Sequence, residues 1–550
     1  MFKKKYSSII FLCLILLLSL ALRLISLSTI PPSLNWDEVS IGYNAASILH
    51  TGKDEWGNFL PLSFRAFGDY KLPGYIYLDI PFIAVFGLNE LGVRLPSAIL
   101  GAGLVLLIFL ILKRKTDINT ALWGSFLAAI TPWTIILSRV ALEAQLTLFL
   151  TTLGLYLFLL GLERRYWLLF SSLSFGLTIF SYNSSRIVTP LLLLVIGVFY
   201  WKKLLGTKKY TLAALVIFVT FFLLALPKAI LQDSSARYKW TSILDEGAIN
   251  RINELRGSSA LPPALAAVTF NKVTYVVPEI FKNYFSHFNP NFLFLNGGSN
   301  YQFSVPGSGL FYPIIAPLLL VGFWVILKER KKWQLSVMSW FFIAIIPAAI
   351  TRDAPHALRS LMMIPPVVLI TSMGIAFCFN HLIRKNRLIL SIVLTIVLLL
   401  NIYRFWQNYS GAYTKAYSWS WQYGYKQAVD FIKLNGGAYQ KIYFTKKYGE
   451  PHEFILFYSQ YDPEKYRTDS KLVRYFRSDW YWVDSFDKYV FLNDWEVKDK
   501  VKSEQAVPAG RQGIGKNLLI TSPGNYPKES KLLETINFLD GKPAFDIVEI

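Results

Sequence analysis

Long apolar runs separated by short polar connections dominate the first 406 residues. A bilayer core needs roughly 20 apolar residues per helix. Eleven runs meet or approach that length: about 7–28, 93–112, 119–137, 142–162, 167–182, 187–201, 210–230, 309–327, 333–350, 359–380 and 388–406. Residues 74–88 are apolar and aromatic but short, and with eleven spans they are expected as an interfacial helix. After Trp406 the pattern turns polar. Tyr425 to Leu434 reads as a helix stopped at Asn435-Gly436-Gly437, and Glu453 to Tyr458 as another. Lys441 to Phe444, Asp487 to Asn493 and Leu518 to Thr521 read as strands, and Thr535 to Ile550, centred on Asp540-Gly541, as a hairpin. Ala506 to Gly513 is a Gly/Pro break, expected as an inserted loop. The expectation is a polytopic α-helical membrane protein with about eleven spans in 1–408, outer loops at 29–92 and 231–308, and a C-terminal extracytoplasmic α/β domain at 409–550.

Charge gives this map a direction. The net charge is +21 over 550 residues, but only 17% are charged and 53% are hydrophobic. Every second connection is short and basic: Lys3-Lys4-Lys5, Lys113-Arg114-Lys115, Arg164-Arg165, Lys202-Lys203 with Lys208-Lys209, Lys328 with Arg330-Lys331-Lys332, and Arg384-Lys385 with Arg387. These hold nineteen basic residues against three acids, Asp117, Glu163 and Glu329. The positive-inside rule makes them cytoplasmic. The charge is therefore an orientation signal, and it removes the case for a nucleic-acid partner. Tyr6 to Ile30 exceeds a signal-peptide core and lacks a small-x-small cleavage site, so a retained first span is expected. Cys13 and Cys378 lie in apolar runs and form no disulfide or metal spacing.

With the N-terminus cytoplasmic, the outer face collects the 31–75 loop, the Ser138–Glu143 turn, the 231–308 loop and 351–359. Asp37 and Glu38 follow Pro31-Pro32 and Trp36 at a span end. A carboxylate beside an aromatic at the bilayer edge suits general-base work, whereas an acid pair at a helix N-terminus also has a purely structural reading. Glu143 stands at the mouth of a span, four residues after Arg139, where an i,i+4 pair is the bland alternative. Lys71, Arg186, Arg352, His356 and Arg359 are cations suited to a phosphate, although lipid headgroups attract such residues everywhere and His356 also reads as a simple cap. His287-Phe288-Asn289 to Pro306-Gly307 is rich in Asn, Gly and aromatics, a composition that fits either a sugar-stacking loop or a sealing cap.

The first span, the acid pair, Lys71-Leu72-Pro73-Gly74-Tyr75-Ile76-Tyr77, Arg94-Leu95-Pro96-Ser97-Ala98 and Ser138-Arg139-Val140-Ala141-Leu142-Glu143 occur in that order on one face. This set resembles the C-type (GT-C) integral-membrane glycosyltransferases, nearest the protein O-mannosyltransferases, aminoarabinose transferases and Rgt-like bacterial enzymes. The resemblance covers about residues 7–400. It implies an inverting transferase that moves a sugar from polyprenyl phosphate to an acceptor (protein, lipid or glycan) on the outer face of the cytoplasmic membrane. It makes Asp37 the base, with Glu38 and Glu143 in the same catalytic set. It implies that Lys71 contacts the donor phosphate; Arg359, His356 and Arg139 are further phosphate candidates, the first two placed by topology rather than by a motif match. Trp36, Tyr75, His287 and Asn289 are the expected sugar and acceptor contacts. No cofactor is required; a divalent cation at Asp37 and Glu143 is the alternative, since hard cations take carboxylate oxygens. Two departures stand out: Leu72 interrupts the family's Lys-Pro-Pro, and the C-terminal α/β domain matches no general family counterpart by motif, which leaves the acceptor open; the Ser138–Glu143 turn matches with Glu where many members have Asp. The competing readings are a lipid-linked glycan flippase and a non-catalytic envelope-assembly protein. A flippase would place ionisable groups near the midplane, yet the spans here are nearly free of charge.

Overall fold

The computed structural model describes residues 2–228, 240–500 and 516–550. The expected insertion at 506–513, the start of the 231–308 loop and the end of the 210–230 run lie outside them. Among the described residues, eight helices are long and apolar enough to cross a membrane. They are Tyr6–Leu24, Glu90–Lys115, Glu143–Gly161, Ser185–Leu205, Lys208–Leu226, Lys332–Ala349, Leu361–Asn380 and Arg384–Ala416. The elements used below are α1 (Phe2–Leu24), α2 (Trp36–Thr51), α3 (Pro73–Phe86), α4 (Glu90–Lys115) and α5 (Ile118–Ile130).

The run expected at 119–137 is a bent helix pair: α5 and Pro132–Ser138 meet at 55°. Pro132 causes the break, because it lacks an N–H and its ring crowds the carbonyl four residues back. That carbonyl, on Ala128, instead accepts from the Thr134 hydroxyl at 2.9 Å. The runs at 167–182 and 309–327 give helices of only 12 and 15 residues, Trp167–Thr178 and Ile315–Glu329. The first winds on through i,i+3 bonds, such as Ser181 N–H to the Thr178 carbonyl at 3.0 Å. The second starts late because Pro313 disfavours helix in the residue before it. The 74–88 segment is the 14-residue α3.

The chain divides into two compact units. One is helical and comprises Met1–Arg23, Ser97–Ser138 and Leu142–Phe405. The other comprises Leu24–Pro96, Arg139–Ala141 and Trp406–Ile550. Its sheet has seven strands: β3 (Tyr439–Thr445), β4 (Val473–Arg477), β5 (Trp480–Phe486), β6 (Tyr489–Leu492), β7 (Lys516–Thr521), β8 (Lys531–Asn537) and β9 (Pro543–Glu549). The order is β4-β5-β6-β3-β7-β9-β8. β3 runs parallel to β6 and β7, and the remaining pairs are antiparallel. The helices expected at 425–434 and 453–458 form as Tyr425–Asn435 and Pro451–Tyr458, and Tyr425 stacks on Phe454 with centroids 4.1 Å apart. α2 packs against Pro451–Tyr458. Gly42 permits the approach, since a Cβ there would come within 2.6 Å of Phe457. The first loop and the C-terminal sheet region thus share one core.

Candidate functional site

The two acids of the first loop stand on adjacent residues of α2's first turn. Asn35 caps the helix: its side chain accepts from Glu38 N–H at 3.0 Å, and Glu38 Oε2 accepts from Asn35 N–H at 3.2 Å. This capping box satisfies two otherwise orphaned donors. It also turns Glu38 inward, where it is fully buried. Arg94 meets Glu38 as a fork, Nε to Oε1 at 2.8 Å and Nη2 to Oε2 at 2.9 Å. The other Arg94 donors go to the carbonyls of Leu27, Pro31 and Ser33. Ala141 N–H adds a fourth contact to Glu38, at 3.0 Å. A carboxylate has about four acceptor positions and a guanidinium five donors. Both groups are therefore saturated.

Asp37, one residue earlier, points the other way. Its hydrogen-bond partner among the described residues is the Lys71 ammonium, on Oδ1. The Asp37 side chain stays 39% exposed and that of Lys71 12%. Lys71 reaches it from a short hairpin, β1 (Phe64–Arg65) and β2 (Tyr70–Lys71), in which Phe64 pairs with Lys71. Leu72, the interrupting residue, is buried at the N-cap of α3, and Pro73 takes the first helical position, where its missing N–H costs nothing. Lys71 still faces Asp37 despite Leu72.

Aromatic rings surround this pair. Trp36 lies 5.9 Å from Phe67 and 6.2 Å from Trp480, and Phe67 stacks on Trp480 at 5.8 Å. Lys71 sits 5.7 Å from the Phe67 centroid. The C-terminal region fixes the cluster. Gln422 accepts from Trp36 N–H at 2.8 Å, and the Phe67 carbonyl accepts from Tyr481 N–H at 2.6 Å. Gly449, at φ +121°, passes so close to Trp36 that a Cβ would lie 2.2 Å from the ring. Trp480 Nε1 donates to Glu450.

Behind the rings is a group of acids that the sequence did not single out. Burial pushes Glu450 up to about 7, against the opposing pull of the Trp480 N–H and the Lys446 ammonium. Burial and the Asp54 carboxylate push Glu55 up to about 7. Glu453, hydrogen-bonded to Glu55, is raised further by burial and by its acidic neighbours. Burial, with Lys446 and Arg474, drives His452 down to about 3, so its ring is neutral. Asp79 of α3 is also buried, and among the described residues neither of its carboxyl oxygens has a hydrogen-bond partner.

The remaining expected residues are placed as follows. Arg139 is buried and donates to the carbonyls of Ile25, Ser26 and Ile30, with its guanidinium 5.3 Å from the Trp406 centroid. Tyr75 is buried and donates to the Val93 carbonyl at 3.0 Å. Both brace the first loop rather than line an open surface. Glu143 is the first residue of its span helix, in the helical unit. Three others in that unit, His287, His356 and Arg359, form a linked set. His287 is buried; its Nδ1 meets the Asn283 carbonyl at 2.7 Å and its Nε2 accepts from His356 N–H at 3.1 Å. That fixes the proton on Nδ1, and burial lowers the ring to about 4. His287 therefore holds the loop together instead of presenting a ring to a sugar. His356 Nδ1 accepts from Arg359 N–H at 3.3 Å, the capping role that its sequence position allowed. Arg359 Nη1 donates to the Arg352 carbonyl at 2.7 Å and to Thr351 Oγ1 at 3.1 Å. Asn289 caps the turn that follows it through Asn291 N–H at 2.9 Å. Among the described residues no three His, Cys, Asp or Glu side chains gather as a metal-binding group. Asp37 commits one oxygen, Oδ1, to the Lys71 ammonium.

The architecture is that of the GT-C membrane proteins. Residues 72–225 match the family model described as dolichyl-phosphate-mannose-protein mannosyltransferase, a little over a quarter of the chain. The solved structure of ArnT from Cupriavidus metallidurans bound to undecaprenyl phosphate is similar at 12% identity and TM-score 0.54, over 98% of this chain and 97% of that one. The Archaeoglobus fulgidus oligosaccharyltransferase AglB, in complex with an inhibitory peptide and dolichol phosphate, is similar at 13% identity and TM-score 0.52. This chain spans 64% of the archaeal protein's length, and 83% of it is covered. Another structure of the archaeal enzyme, in complex with Zn and sulfate, matches at 14% identity and TM-score 0.50. A comparison with curated proteins finds no match.

Proposed function

We propose that this chain is a membrane glycosyltransferase that moves a sugar from a polyprenyl-phosphate donor to an acceptor hydroxyl outside the cytoplasmic membrane, with inversion. The observation that carries this reading is the pairing of a partly exposed Asp37 with Lys71, beside Trp36, Phe67 and Trp480. The lipid-phosphate ligands of the two similar structures support the donor class, and so does the mannosyltransferase family model.

In this mechanism the unbonded oxygen of Asp37 takes the proton of the acceptor hydroxyl. The acceptor oxygen attacks the anomeric carbon from the face opposite the phosphate. The anomeric carbon–oxygen bond breaks, and its electrons leave with polyprenyl phosphate. A lipid phosphate is already a fair leaving group, so the protein supplies a base and positive charge near the departing oxygens. Lys71 orients Asp37 and brings its positive charge to the phosphate. The Trp36–Phe67–Trp480 cluster gives the sugar an apolar face to stack on and excludes water. Glu38 is a positioning residue: it caps α2 and anchors Arg94, which keeps Asp37 facing outward. Glu143, His356 and Arg359 are assigned to the outer face by the basic alternation, and with them the C-terminal region.

The test is a transfer assay with purified protein in liposomes and a panel of polyprenyl-phosphate sugars. One donor should be consumed, with release of polyprenyl phosphate and an inverted linkage in the product. Consumption of no donor, together with movement of labelled lipid-linked sugar across the bilayer, would overturn the reading.

A further inference from the structure

The helical unit contains a cavity of about 1100 Å³ between α1, α5 and the helix Arg384–Gln407. Its wall is apolar, with Phe11 and Leu18 on α1, Trp123 and Phe126 on α5, and Phe379. Its rim carries Arg384, Lys385 and Arg387. All three are exposed, and among the described residues none pairs with a carboxylate; Arg387 makes one long contact, 3.4 Å, to the Leu382 carbonyl. The flanking helices are thinly covered by protein, with 11% of the first span and 22% of the last buried. Small-molecule pockets usually occupy roughly 300–1,000 Å³, so this one exceeds that range.

Three observations choose the occupant. The apolar wall of a groove beside sparsely covered spans excludes water, so a hydrocarbon must fill it. The lining runs from Arg384 to Thr395, roughly 16 Å at 1.5 Å per residue. That is about half of a bilayer core of roughly 30 Å, the depth of one leaflet. The cations lie only at the end that the basic alternation assigns to the cytoplasm, at headgroup height, where Lys and Arg attract anionic lipids.

We infer that this groove is a binding site for an anionic phospholipid of the cytoplasmic leaflet, with its acyl chains against α1 and α5 and its phosphate on Arg384, Lys385 and Arg387. The residues lining the groove include none of Asp37, Lys71, Trp36, Phe67 and Trp480.

The test is native mass spectrometry of the purified full-length protein, equilibrated with equal amounts of phosphatidylglycerol and phosphatidylethanolamine and no sugar donor. The wild type should retain phosphatidylglycerol at least about tenfold over phosphatidylethanolamine, as two or three headgroup-level cations predict. The triple variant Arg384→Gln, Lys385→Gln, Arg387→Gln should lose the preference while still retaining lipid. Ser391→Trp, which fills the groove without changing its charge, should lower retention of both lipids. Soluble glycerol phosphate in excess should not displace the lipid. Equal retention of the two lipids by the wild type, or an unchanged preference in the triple variant, would overturn the proposal. Displacement by glycerol phosphate would also overturn it, showing a phosphate site without a lipid requirement.

Discussion

The outward and inward sides of α2's first turn carry the same chemistry to opposite ends. Asp37 and Glu38 are consecutive carboxylates, each paired with one cation. On the inward side, the Glu38–Arg94 pair is wholly buried and every donor and acceptor is spent. On the outward side, Asp37 uses one oxygen and stays partly exposed. A saturated buried pair has nothing left to offer a substrate. Asp37, partly exposed and bonded to Lys71 through one oxygen, does. The difference follows from the capping box, which pins the third residue of the helix inward and leaves the second to face out.

The largest effect separating the two pairs should come from Glu38→Ala. Removing one partner of a buried ion pair strands the other charge, at a cost of about 3–5 kcal/mol. Thermal unfolding in detergent checks this, and Lys71→Met, at a partly exposed pair, should cost about 1 kcal/mol or less by the same readout. Lys71→Met should instead lower transfer by about 10², the usual loss when one donor to a developing charge is removed. Steady-state rates at saturating donor check that.

The buried acids behind the aromatic cluster predict a pH effect. Glu55 titrates near 7 in the folded chain but near 4.5 as an isolated side chain. The folded state thus binds more protons between those values, so this group's contribution to stability falls as pH rises from about 4.5 to 7 and is level above. Glu450 acts in the same direction, whereas His452, held neutral down to about 3, acts in the opposite one. Glu55→Gln should therefore melt higher than the wild type at pH 8 and alike at pH 4.5; melting curves at the two values check it. The smallest effect should come from Trp480→Ala, which removes a stacked ring worth about 0.5–1.5 kcal/mol beyond its burial. It should weaken acceptor or donor binding, seen as a raised KM, more than it lowers kcat.

How much of this was legible varies by kind of signal. Local patterns read well: the helices at 425–435 and 451–458 and the 531–549 hairpin form where periodicity and Asp540-Gly541 indicate. The hairpin of β4 and β5 was missed, because its burial is mixed along both strands and gives no clean alternation. The sequence places Asp37 and Lys71 in one loop but gives no sign of their ion pair, which depends on the hairpin that carries Lys71. The Trp480–Phe67 stack was not legible, since its residues are hundreds of positions apart and each looks like an ordinary surface aromatic. His287 misled for the opposite reason. Its neighbourhood has the composition of an exposed loop, yet both its ring nitrogens serve the backbone.

The most direct measurement is single-turnover sugar transfer by Asp37→Asn beside the wild type, with melting temperature recorded for both. Transfer should fall by about 10²–10⁴, the range for loss of a positioned base, while the melting temperature stays within a few degrees. Transfer within threefold of the wild type by a folded Asp37→Asn protein would contradict it.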